Sequence, residues 1–189
     1  MNLSGATVRG VLILGLSVPA IGAARAQAPA PLSSADNPIS QAIKATWDGA
    51  KRNLTESAEQ MAEADYAFRP TEQVRTFGEI LAHVAGANYV FCAPARGEKP
   101  PFSEDHFEKT TKTKAEITKA VTDSIAYCDN IYAALTDRTA AEVIPMPFSM
   151  GNAARASTLM RNTMHVQEHY GNLVTYFRIK GIVPPSSRR

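Results

Sequence analysis

From residue 37 onward, apolar residues recur at steps of three and four, the period of helices that bury one face. Ile39, Ile43, Trp47, Leu54, Ala58 and Met61 form a first stripe, with one turn skipped at Ala50. Asn37 is placed as its N-cap and Pro38 at its first helical position. The run Tyr66-Ala67-Phe68-Arg69-Pro70 leaves that helix, and its aromatics are expected to close one end of the core. A second helix opens with the capping box Thr76 to Glu79 and carries Phe77, Ile80, Leu81, Val84 and Phe91. A third opens with the box Thr113 to Glu116 and carries Ile117, Val121, Ile125, Cys128, Ile131, Tyr132 and Leu135. A fourth, from about Asn152, carries Leu159, Val166, Leu173 and Phe177, is stopped by Gly181 and is kept from resuming by Pro184-Pro185. The pattern predicts an all-α fold, a four-helix bundle over residues 37–186. The long connections 94–110 and 137–151 are read as crossovers, which lets helices two and three run parallel. No strand-like alternation, phosphate-binding glycine loop or internal repeat is present.

The first 26 residues read differently. Arg9 precedes a short apolar run, Val11 to Leu16, and Ala24-Arg25-Ala26 has the small-x-small form of a signal-peptidase site. The run is too short for a permanent membrane span. A cleaved signal peptide (1–26) and a flexible Ala/Pro/Ser-rich leader (27–36) are therefore expected, with a periplasmic or secreted product and no membrane attachment after cleavage. The cut also changes the charge. The full chain has 20 basic and 18 acidic residues, but loss of Arg9 and Arg25 leaves 18 of each. A neutral mature chain has no electrostatic footprint for nucleic acid. Export into an oxidising compartment favours a disulfide between the two cysteines, Cys92 and Cys128.

The candidate chemistry is carried by histidine. His165 and His169 stand four residues apart, so they share one face of the fourth helix and can reach one metal ion. His83 flanks the stripe of the second helix in the same way and is the third candidate ligand. Three imidazoles leave positions open for water or substrate, as in catalytic rather than closed structural zinc sites. Imidazole suits zinc, nickel and iron alike, so a divalent metal ion is expected without its identity. The competing reading is three histidines that simply pack in the core. His106 lies in a loop among Glu104, Asp105 and Glu108 and is set aside as exposed. His165 to Glu168-His169 also fits the H-x-x-E-H peptidase pattern, but too little chain follows to supply the further ligand. Glu79 is a candidate to orient His83, although the capping box alone accounts for it. Met146, Met150, Met160 and Met164 are read as core filler rather than soft-metal ligands.

The stretches Thr76 to His83, His165 to Leu173 and Phe177 to Pro185 resemble the DinB family, within the DinB/YfiT-like metalloenzymes. The resemblance covers residues 37–186. It implies a three-histidine metal site at His83, His165 and His169. It also implies thiol-transferase or isomerase chemistry with a low-molecular-weight thiol, which is cytoplasmic in the thiol-dependent members. An exported member departs from that setting, so hydrolysis stands beside thiol transfer. The alternative is a non-catalytic exported bundle that binds metal or ligand in stress protection. A small-molecule substrate and a homodimeric state both fit this reading.

Overall fold

The computed structural model describes residues 37–188. The expected signal peptide and leader lie outside the described residues. Four long helices dominate: α1 (Pro38–Gln60), α2 (Phe77–Ala95), α4 (Lys114–Ala133) and α6 (Arg155–Ile179). Two short helices, α3 (His106–Thr110) and α5 (Asp137–Ala140), sit in the connections. A two-stranded antiparallel hairpin, β1 (Val143–Pro145) and β2 (Asn152–Ala154), precedes α6.

Both capping boxes form. The Thr76 hydroxyl accepts from the Glu79 amide while the Glu79 carboxylate accepts from the Thr76 amide, and Thr113 and Glu116 do the same for α4. Gly181, at φ +70°, provides the left-handed turn after α6. The start of α1 is built differently from expectation. Asn37 holds the N-cap position, but its side chain does not cap its own helix. Asp137 does so from across the chain, accepting from the Ile39 amide at 3.2 Å and the Ser40 amide at 2.7 Å. Asn37 Oδ1 in turn accepts from the Asp137 amide at 2.9 Å.

Each of α1 and α2 packs on both α4 and α6, so the remaining two pairs lie across the diagonals. Helices α2 and α4 run parallel. Gly78 faces Ile117, Asn88 Nδ2 donates to Ser124 Oγ at 3.0 Å, and Cys92 meets Cys128, all in ascending order. The cysteines form a disulfide with their Cα atoms 5.5 Å apart. Helix α6 runs antiparallel to α2: Thr158 donates to the Phe91 carbonyl, and Tyr176 donates to the Arg75 carbonyl. Helix α4 runs antiparallel to α1, with Trp47 donating to Asp129 and stacked on Tyr132 at 4.6 Å between ring centroids.

Helix α2 is the centre. Every residue of it is buried except Glu79 and Pro94. The connection 96–113 covers its outer side, where Tyr89 packs edge-on against Phe102 and close to Phe107.

Three expectations need correction. The 94–110 connection does run the length of the bundle, but 137–151 does not: α4 and α6 are oppositely directed, and Tyr132 near the end of α4 donates to the Leu159 carbonyl near the start of α6. That connection crosses a diagonal at one end, and strand pairing, not expected from the sequence, supplies its backbone hydrogen bonds. Ile39 is 62% exposed rather than in the core, and Ala50 is fully buried, so the α1 stripe is continuous without a skipped turn. Of the four methionines read as core filler, Met150, Met160 and Met164 are exposed and Met146 is buried, so three of them do not fill the core. Met160 and Met164 instead line an apolar groove with Ile39 and Ile43 of α1.

The disulfide spans a sequence separation of 36, for which loop-closure entropy gives about 3–4 kcal/mol. Denatured, unreduced protein should show no free thiol. The C92S/C128S double variant should lose about 3 kcal/mol in urea unfolding. Two reactive thiols per chain would contradict the bridge.

Candidate metal centre

The capping box at Thr76 fixes the start of α2 and places His83 two turns in, buried at 7% exposure. The antiparallel approach of α6 sets His165 and His169 opposite it. His83 Nε2 lies 3.2 Å from His165 Nε2, which lies 3.1 Å from His169 Nε2. One ligand nitrogen from each of the three rings lies within 4.8 Å of the others. The structure thus brings together all three histidines read from the sequence.

The surroundings of His165 and His169 favour the neutral form. Burial pushes the His165 pKa down to about 3, assisted by its neighbours His169 and His83 and by Arg75. His169 is pushed down to about 4, by burial first and His83 second, with Glu168 pulling weakly the other way. Neutral imidazole is the metal-binding form. A carboxylate can only accept, so Glu108 Oε1, 2.9 Å from His83 Nδ1, places a ring proton there; in the metal-binding form Nε2 is then the nitrogen that faces the other two rings. Glu108 is itself held by Arg75, whose Nε donates to Oε2 at 2.8 Å.

The donor set fits a metal ion. His165 Nε2 has an imidazole nitrogen on either side, and its Nδ1 is buried without a partner. A neutral His165 Nε2 offers either one N–H or one lone pair, so it can make a good hydrogen bond to only one of its two neighbours. A single cation satisfies all three nitrogens. Bonds of about 2.0–2.1 Å at tetrahedral angles set donors about 3.3–3.4 Å apart, close to the two short separations observed.

Beside His169 opens a cleft of about 690 Å³ whose walls include Arg75, Val74, Asn172, Thr175 and Tyr176. It gives a small molecule access to one edge of the triad.

The remaining candidates are placed elsewhere. Glu79 is engaged in its capping box, with Oε2 accepting from the Thr76 amide at 2.7 Å, and Glu108 orients His83 instead. Glu168 is exposed. Asn88 bonds Ser124, and the Tyr170 hydroxyl accepts from the Ser186 amide. His106 stacks on Phe102, outside the triad. Sequence reasoning missed Glu104, Glu108 and Arg75, taking the acids for a solvated loop. The signal was in α2: a helix apolar all round must be covered on every side, and the long connection is the segment available to cover it.

The sequence profile of the DinB superfamily matches residues 46–173, a span that contains all three histidines. A DinB-like protein from Bacillus subtilis has a similar structure, with a TM-score of 0.60 and 18% identity, over 78% of this chain and 99% of that one. A DinB-like protein from Bacillus cereus is similar at 0.60 and 12%, over 77% and 95%. A mycothiol-dependent maleylpyruvate isomerase is similar at 0.59 and 14%, over 71% of this chain; the chain spans 60% of that enzyme's length. At these identities the likeness is one of fold. Comparison with curated proteins gives no significant match.

The lowered histidine pKa values make a prediction for the metal-free protein. Between the ordinary value of 6.5 and the folded values of about 3 and 4, the unfolded chain binds more protons. The stability contribution is therefore complete above about pH 6.5 and is lost as pH falls toward 4. Urea midpoints of metal-free protein should drop from pH 7.5 to pH 5, and drop less in an H165A/H169A variant. Equal slopes for the two proteins would contradict the assignment.

Proposed function

The chain belongs to the DinB superfamily, and we propose that it is a metal-dependent enzyme acting on a small molecule through an ion held by His83, His165 and His169. The observation that carries this reading is the meeting of three half-buried or buried imidazoles, with Nε2 separations of 3.1 and 3.2 Å, at the edge of a cleft. Zinc, nickel and iron all suit the donors. A bound ion of this kind lowers the pKa of a coordinated water or thiol and so supplies a nucleophile near neutral pH. The protein's own part is positional. Glu108, steadied by Arg75, fixes the His83 ring and its tautomer. The antiparallel α2–α6 packing fixes the other two rings against it. Asn172 and Thr175 offer hydrogen bonds along the cleft, and Arg75 offers positive charge at its wall.

The reaction class follows as thiol transfer or hydrolysis. The similar isomerase uses mycothiol by name, which supports a thiol. The proposed export to the periplasm or beyond, supported by the Cys92–Cys128 disulfide, supports water. No helix of the described residues is long and apolar enough to cross a membrane.

Elemental analysis of the mature protein, purified without chelators, should find one transition-metal ion per chain, and H83A should lose it. A wild-type protein that neither retains nor takes up metal would overturn the reading. A loaded protein that turns over neither thioether nor ester and amide substrates would leave the non-catalytic binding role in its place.

A further inference from the structure

Glu104 lies on the crossover between α2 and α3. Its Oε1 is 3.7 Å from His83 Nε2 and 3.8 Å from His165 Nε2, beyond hydrogen-bonding range of either and almost equidistant from both. No other ion-pair partner lies within 4.0 Å of its carboxylate among the described residues. A cation placed between the carboxylate oxygen and the two imidazole nitrogens would attract all three. Four tetrahedral donors on one ion stand about 3.3–3.4 Å apart. The carboxylate oxygen is therefore within about half an ångström of that donor spacing from two of the three histidines, His83 and His165.

Backbone packing holds it there. Gly86 is one turn beyond His83, and a Cβ at Gly86 would lie 2.0 Å from the Glu104 carbonyl oxygen and 2.7 Å from its carbon. The loop main chain thus lies flush on α2, which only glycine permits at this position. On one side of this contact Phe102 packs against Tyr89, and on the other Glu108 bonds His83 and Arg75. The segment bearing Glu104 is pinned before, at and after that residue.

We propose that Glu104 is the fourth donor to the ion held by His83, His165 and His169, a carboxylate delivered by the crossover rather than by a bundle helix. The proposal rests on the metal-site reading. It makes the centre a three-nitrogen, one-oxygen set, and it lowers the charge of a bound divalent ion by one. It also gives Gly86 a positioning role, since the contact it permits sets the height of the carboxylate above the histidines.

The test loads metal-free mature protein with cobalt(II), which reports its donors through visible absorption. Affinity is measured by chelator competition. Wild type, E104Q, E104A, G86A and H83A are compared, with circular dichroism to check folding. Wild type should bind one cobalt ion. E104Q and E104A should still bind, about tenfold or more weakly, with an altered spectrum. G86A should shift affinity and spectrum in the same direction although it removes no donor. If wild type binds, H83A does not, and both Glu104 variants match wild type within twofold in affinity and in spectrum, Glu104 is not a ligand and the three-histidine site stands without it. If wild type binds no cobalt, the metal site itself is wrong, and the role of Glu104 falls with it. The near-isosteric E104Q keeps the test decisive if G86A fails to fold.

Discussion

The burial of α2 on all sides is the constraint from which the rest of the architecture follows. Its sequence offers no polar face: apart from Glu79 and Pro94, every side chain from Phe77 to Ala95 is buried. A helix of that composition is stable only when surrounded. Two neighbouring helices, α4 and α6, cover part of it, and the crossover that follows it covers the rest. Because the crossover must travel back along α2 before α4 begins, α2 and α4 end up parallel. Parallel running in turn brings Cys92 level with Cys128.

The same enclosure explains how a polar centre can exist inside this core. His83 enters on the buried helix, and its ring nitrogens would be costly there without partners. One is met by Glu108 from the covering loop, the other by the histidines of α6. The loop therefore both closes the apolar surface and supplies the charged groups around the histidines. Three imidazoles packed nitrogen to nitrogen are a poor way to stabilise a core and a good way to hold a cation.

Much of this was legible in the sequence, for local reasons. Capping boxes at Thr76 and Thr113, the glycine stop at Gly181, the helical stripes and the i, i+4 pair His165–His169 are written within a few residues of chain. His83 could be added because it bears the same relation to its stripe. What failed was non-local. Ile39 has the right spacing for the core, yet it lies on the wall of the open groove between α1 and α6, and periodicity cannot report that. The hairpin before α6 is three residues per strand, too short for alternation to show. Glu104 and Glu108 share a loop with other charged residues, so composition described them as solvated. Their role depends on Gly86, whose empty side is visible only when the loop is laid against the helix.

The hydrogen bonds that link Asn37, Ile39 and Ser40 to Asp137 have a consequence for how distant parts of the chain depend on each other. The first turn of α1 needs partners for its free amides, and two of them are found 97 and 98 residues downstream. A helix start is ordinarily a local instruction; here it is a clasp between the first turn of α1 and the turn after α4. A fragment ending before Asp137 would hold every residue of α1, α2 and α4 and still lack the group that tells α1 where to begin. The start of α1 is thus defined from the second half of the described residues, and a break in the 137–151 connection would be felt at residue 37 as well as where it occurred.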